Sequence, residues 1–324
     1  MIHTRACELL GITHPIVQAG MSRRQTNAEL VAAVSSAGGL GILGCLGRPA
    51  DETVAEIRRI RTLTDRPFGV NFVLHLLDEE TFSACLDERV PVFSFFRGDP
   101  AEAVARAHSA GAVTLHQVTT VEEAEQACTI GADLIVAQGA EAGGHQGHVP
   151  LLSLLPAVVE VAGTRPVLAA GGIVDGRGLA AVLCLGASGA LIGTRFLATP
   201  ECPASATHKR GILRASTGGT VASSMFDIIW GDEWPGVGAR ALRNRLTDRW
   251  QGREQELRRV RARVLADLQR AEEAENPDEM ILLAGEGAGR IQDIRPAGEM
   301  VRSIATKATR VLQQWGERAD RSAT

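Results

Sequence analysis

The 324-residue chain contains no tyrosine, so any pocket it forms is built without phenols. Its six cysteines (Cys7, Cys45, Cys85, Cys128, Cys184 and Cys202) include no CxxC pair and no zinc-like spacing with histidine. They read as buried small residues in a reducing compartment. No run reaches the roughly 18 apolar residues that span a bilayer. The first fifteen residues, MIHTRACELLGITHP, lack the apolar stretch of a signal peptide. The expected location is therefore cytoplasmic, with no membrane partner. Positive charge is not in excess: the formal net charge of −4 argues against a general nucleic-acid binder. There is no GxSxG elbow, no GxxxxGK[ST] loop, and no GxGxxG after the first apolar run.

What is present is an alternation. Short apolar runs occur at Ile16–Met21, Leu40–Cys45, Phe68–Leu74, Val90–Phe96, Ala112–Val118, Leu134–Gly139, Pro166–Gly171 and Ala190–Thr194. Most are continuous rather than alternating, as in strands covered on both faces. Helix-like segments lie between them. Asn27, Thr120 and Asp175 stand as N-caps, Asp51 starts ETVAEIRRIRTLT, and Asp99-Pro100 precedes AEAVARAHSAG. Eight strand–helix repeats predict an α/β fold, a (β/α)8 TIM barrel. The doubly wound open sheet is the alternative, and it lacks its glycine-rich first turn here.

The rhythm stops after Thr199. Residues 1–200 are read as the main part of the barrel and 201–284 as a small, mainly helical insertion after the eighth strand. Residues 285–324 are read as a C-terminal helix completing the barrel, around EMVRSIATKATRVLQQW. Within the insertion, RNRLTDRWQGREQELRRVRARVLADLQRAEEAE predicts one or two solvated helices rich in i,i+4 opposite-charge pairs. Its arginines are interrupted by glutamates, so a solvated face is preferred over a phosphate- or nucleic-acid-binding helix.

In such barrels chemistry sits at the C-terminal strand ends. Three places stand out. Gly171 and Gly172 end the seventh strand in AAGGIVDGRG, and Ile192, Gly193 and Thr194 end the eighth in GALIGTRF. Glycine lets backbone N–H groups approach phosphate oxygens, and a helix N-terminus adds partial positive charge. Two tight turns without a ligand are the blander reading. The second place is AQGAEAGGHQGH after the sixth strand. Gln138 and Glu141 can hydrogen-bond there, and Gly143 and Gly144 leave room for a flat ring. His145 is the acid/base candidate. A metal held by His145 and His148 is disfavoured for want of a third ligand. The third place is Asn71 in FGVNF, which bonds a heterocycle rim or merely a neighbouring loop. Gly20-Met21 in QAGM presents backbone to a ligand or is ordinary core. Cys45 is a weaker candidate for facing the pocket.

Taken together, PIVQAGM, AELVAAVSSAGGLGILG, FGVNF, AQGAEAGGHQGH, PVLAAGGIVDGRG, GALIGTRFLATPE and GAGRIQDIRPAGEMV resemble the nitronate monooxygenase family, formerly 2-nitropropane dioxygenases. They resemble equally the related flavin-dependent enoyl-acyl carrier protein reductases. The resemblance covers nearly the whole chain. It implies one non-covalent FMN, with Asn71 and Gln138 on the flavin or its ribityl chain. Gly143 would then line the ring, and Gly172, Gly193 and Thr194 would hold the phosphate, with Gly20, Met21, Gly144, Gly171 and Ile192 as further cofactor-binding residues. His145 falls on the family's catalytic histidine. The implied reaction is oxidation of an alkyl nitronate with O2 to a carbonyl compound and nitrite. The alternative is NAD(P)H-dependent reduction of an enoyl thioester, and a non-catalytic phosphate-binding barrel is the third reading. Three features depart from the monooxygenase pattern: Leu191 stands where many members carry glutamine, Gly20 replaces a proline, and pocket tyrosines are missing. A small-molecule substrate and a homodimer are expected.

Overall fold

The computed structural model describes residues 2–21, 24–231, 234 and 238–322, with the backbone alone for 319–322. Strands in chain order are β1 (Ile16–Gln18), β2 (Leu40–Gly44), β3 (Phe68–Val73), β4 (Val92–Phe96), β5 (Val113–Val118) and β6 (Leu134–Gln138). They continue with β7 (Gly144–His145), β8 (Val167–Ala170), β9 (Gly189–Ile192), β10 (Thr220–Ser223) and β11 (Ala239–Leu242). Eight of them close a parallel barrel in the order β1-β2-β3-β4-β5-β6-β8-β9. Gln18 pairs with Gly41 on one side and with Ile192 on the other, which shuts the ring. The fold is the (β/α)8 barrel that the alternation implies.

Every residue of β2, β4 and β6 is buried. One face of each fills the barrel and the other meets the surrounding helices, which explains the continuous apolar runs. Val17, Ile42, Leu115, Leu134, Val136 and Leu168 share an interior cluster with Ala6, Cys7 and Leu10. The short helix Arg5–Leu10 thereby closes the N-terminal mouth of the barrel. The opposite mouth, at the C-terminal strand ends, is left for a site.

The caps at Asn27, Thr120 and Asp175 form as expected, each side chain accepting a backbone N–H of its helix, worth about 1 kcal/mol apiece. Asp51 does not cap. Its helix starts at Ala50 after Pro49, and Asp51 lies in the first turn, where a carboxylate still favours the helix N-terminus. Several apolar runs overshoot the strands they predict. β1 ends at Gln18, β8 at Ala170 and β9 at Ile192, and the remaining residues, Gly20, Met21, Gly171 and Gly193 among them, bend over the open mouth.

After β9 the chain builds a second, smaller body. Val221, Phe226, Ile229, Trp250, Leu257 and Val264 form a core of their own. The helix Glu254–Glu273 is less solvated than its charge suggests. It buries Leu257, Val264, Leu268 and Ala271, and Arg261 donates to the carbonyls of Ile228 and Trp230 at 3.0 and 2.9 Å. Arg253–Glu256 and Asp267–Arg270 pair at i,i+3 spacing rather than i,i+4. β10 and β11 pair antiparallel, and β11 also pairs with β7. The helix Ala297–Ser322 then lies against Gly176–Cys184 and Ala28–Ser36. A Cβ at Gly176 would come within 2.5 Å of its backbone at Ala308 and Ile304, so the helices touch along that glycine. No helix among the described residues is long and apolar enough to cross a membrane.

Candidate active site

The open mouth holds a cavity of about 210 Å³ that opens to solvent. It gathers residues from all three sequence motifs. Gly20, Met21, Asn71 and Gln138 line it, with Gly143, Gly144 and His145 beyond β6. Gly171, Gly172, Ile192, Gly193 and Thr194 line the side formed by β8 and β9. Cys45 does not take part. It is 4% exposed, packed with Phe72, Phe82 and Cys85 outside the barrel, because the residue after the strand turns away from the mouth. His148 is exposed and outside the cavity, and no metal-ligating cluster occurs among the described residues.

The glycine side is shaped by backbone. Gly171 and Gly172 have φ of +113° and +69°, conformations that L side chains rarely adopt. A Cβ at Gly193 would meet nothing closer than Ala19 at 3.7 Å, so the space beside it is open. The helix after β8 adds little positive charge, since Asp175 takes the N–H groups of Arg177 and Gly178. Any anion held here depends on the glycine backbone. Thr194 is partly engaged, its hydroxyl accepting from Gly285 N at 2.9 Å. Asn71 donates to the Ser94 carbonyl and hydroxyl, both at 3.2 Å. Gly20 is packed so tightly that a Cβ would lie 2.4 Å from Asn71 Cβ.

The histidine side is assembled from distant segments. Gln138 Nε2 donates to His145 O at 3.1 Å, while its Oε1 is buried without a partner. An unmet buried acceptor of this kind costs on the order of 1–3 kcal/mol, and a ligand donor would relieve it. Glu141, expected as a hydrogen-bonding group, faces away from the ligand space and accepts from Leu151 N at 3.0 Å. Gly143 lies so close to the 284–285 backbone that a Cβ would approach Gly285 N to 2.6 Å. Arg240 reaches across from β11 and donates to Ala140 O at 3.0 Å.

Four aromatic or ionisable groups were not signalled by any motif. His145 Nε2 lies 2.7 Å from Asp227 Oδ1. The His145 ring stacks on Trp234, centroids 3.4 Å apart and planes 7° from parallel. Trp230 and His208 also line the cavity. His208 donates Nε2–H to Leu283 O at 3.1 Å, and burial pushes its pKa down to about 4, so it stays neutral near pH 7. No Asp, Glu, Lys or Arg is among the described residues that line the cavity. Of the two histidines among the described lining residues, His145 is the one hydrogen-bonded to a carboxylate.

The sequence model for nitronate monooxygenase matches residues 3–82 and 78–307. The chain belongs to the nitronate monooxygenase family. Members and neighbours of this family differ in what they are named for. A protein of Mycobacterium tuberculosis, (3aS,4S,5R,7aS)-5-hydroxy-7a-methyl-1-oxo-octahydro-1H-indene-4-carboxyl-CoA dehydrogenase, is 41% identical over 251 residues, which cover 76% of this chain and 68% of that one. A second dehydrogenase of the same name is spanned over 64% of its length. Among solved structures, FabK from Thermotoga maritima superposes with a TM-score of 0.88 at 32% identity, over 98% of this chain and all of that one. Nitroalkane oxidase from Streptomyces ansochromogenes gives 0.84 at 33% identity, over 95% and 99%. Family membership makes the chain an oxidoreductase-type enzyme.

Proposed function

We propose that the chain is an FMN-dependent oxidoreductase that acts on an apolar acyl thioester, with His145 transferring the substrate proton. The carrying observation is a cavity with no charged side chain among its described lining residues, a glycine cradle on one side and His145 on the other. The residues fit FMN on three counts. The cradle at Gly171, Gly172 and Gly193 has no Cβ to block an approaching phosphate. Among the described residues, no carboxylate lines the cavity to repel it. The unmet Gln138 Oε1 matches a hydrogen-bond donor on a flavin rim or ribityl hydroxyl.

Bound FMN would supply two-electron redox chemistry that no side chain offers. The chain's own residues do the rest. Backbone at the glycine cradle would anchor the phosphate. Asn71 and Gln138 would orient the ring system. Trp230, Trp234, Leu46 and Phe96 give the entrance an apolar wall, which suits an acyl or alicyclic group and excludes water from the reacting atoms. His145 would take the proton that leaves an O–H or C–H as the neighbouring C–H hydride departs, or return it in the reverse direction. The similarity to the two carboxyl-CoA dehydrogenases supports the thioester. Oxidation of an alkyl nitronate is the second reading, favoured by the family itself. There, His145, paired to a carboxylate, is the side chain among the described lining residues that would hydrogen-bond the anion.

The test is the visible spectrum of purified protein supplied with FMN under anaerobic conditions. A bound-flavin spectrum that NADPH bleaches and crotonyl-CoA then restores, or that a hydroxyacyl-CoA bleaches, supports the thioester reading. Bleaching by ethyl nitronate alone moves the assignment to nitronate oxidation. Absence of any bound-flavin spectrum overturns the proposal.

A further inference from the structure

The segment after the barrel supplies His145 with a partner that no motif announced. Asp227 lies on the helix Met225–Trp230, is 6% exposed, and does not itself line the cavity. Its Oδ1 stands 2.7 Å from His145 Nε2, a length typical of a charge-assisted hydrogen bond. The same segment holds the histidine in two further ways. β11 pairs with β7 in register, Ala239 opposite His145, and Trp234 covers the ring face. The ring plane and one ring nitrogen are thus set by residues beyond position 220, and the backbone is held jointly by β11 and Gln138.

Resting on the reading of His145 as the proton-transferring group, we infer that Asp227 is a positioning residue that fixes which imidazole nitrogen does the chemistry. An ionised carboxylate only accepts hydrogen bonds. Nε2 must then carry its proton, and in the neutral ring the lone pair resides on Nδ1. Proton uptake occurs at Nδ1, and the imidazolium that forms is paired to the Asp227 carboxylate at the moment its charge appears. The logic is that of the aspartate in a serine-protease triad, which orients a histidine and stabilises its cation without taking the proton. A purely structural pair, pinning the helix to β7, would show the same contact and the same Nε2–H, but turnover would not depend on Asp227.

The experiment separates these roles. Full-length protein with 15N-labelled histidine is examined by NMR, with His145 identified as the signal pair lost in His145→Gln. The expected result is the Nε2–H tautomer in the native chain and a mixed or inverted tautomer in Asp227→Asn. In the FMN-bound enzyme, assayed with crotonyl-CoA plus NADPH and with ethyl nitronate plus O2, Asp227→Asn lowers kcat roughly 10²- to 10⁴-fold. KM and flavin retention change little, and Asp227→Glu recovers part of the rate. An Nδ1–H tautomer in the native chain overturns the inference, as does an Asp227→Asn variant with native tautomer and native kcat. A misfolded variant leaves the native-chain tautomer as the deciding reading. Protein without flavin would remove the proposed cofactor and leave the tautomer result standing.

Discussion

At the end of β8, Gly171 and Gly172 are held by the barrel. Gly139 N bonds Ala170 O at 2.9 Å, and Ala142 N bonds Gly139 O at 3.1 Å, so the turn follows from strands on either side of it. His145 is held differently. β6 ends at Gln138, and the chain crosses a glycine-rich loop before reaching the histidine. What fixes it there, β11, Asp227, Trp234 and the Arg240 bridge to Ala140, belongs to the later segment. On the proposed reading, the barrel would position the bound group and the appended body would align the proton-transferring histidine. Binding and turnover should therefore be separable by mutation.

The sharpest test of that separation is His145→Gln. Turnover should fall roughly 10²- to 10⁴-fold, the usual worth of a general acid–base group, while the bound-flavin absorbance stays at the native level. Parallel loss of flavin would mean that the two sides are one unit.

A second test uses acid. His116, outside the barrel on β5, and His208, in the appended body, are both buried, and burial pushes each from 6.5 to about 4. The folded state thus binds fewer protons than the unfolded chain between those values. Stability is fully present above pH 6.5 and declines as pH falls towards 4, by up to about 3 kcal/mol per histidine. Thermal denaturation between pH 7.5 and 4.5 should show this decline, and His208→Gln and His116→Gln should each flatten it. If only His208→Gln does so, the appended body alone is acid-labile and the comparison sharpens. If neither variant changes the slope, burial of these rings is not its source.

The smallest expected effect is at the cradle. Gly171→Ala forces a side chain into φ near +113°, a strain of about 1–3 kcal/mol. FMN titration should show affinity weakened about 10- to 100-fold. Turnover at saturating FMN should stay within a few-fold of native, and a large fall there would contradict the division of labour.

The barrel was readable because its signals are local. Continuous runs such as LGILG and LIVAQ need no distant partner to be recognised as doubly covered strands, and Asn27 caps a helix three residues away. The cavity was readable for the same reason: strand ends in a barrel converge whatever the loops do. His145 and the glycines could be picked out by type and position. Asp227 could not, because nothing in FDIIW ties that carboxylate to a histidine 82 positions earlier. Trp234 and the pairing of β7 with β11 were hidden likewise, since two residues, Gly144-His145, are too short a strand to leave a pattern. The helix Glu254–Glu273 misled in the opposite sense. Its charge masks the narrow stripe of Leu257, Val264 and Leu268 that packs inward.

The β10-β11-β7 sheet also bears on the order in which the molecule forms. Pairing His145 with Ala239 closes a long loop, and the entropy of that closure must be met before its contacts contribute. Consecutive barrel strands are joined by shorter connections, but shutting the ring pairs Ile16 with Ala190, a longer closure still. The histidine meets its carboxylate only once residues beyond 220 have reached β7. With a core of its own, the small sheet is also a natural unit of partial opening. In that state the chain would keep its fold and its cradle, and lose the aligned imidazole.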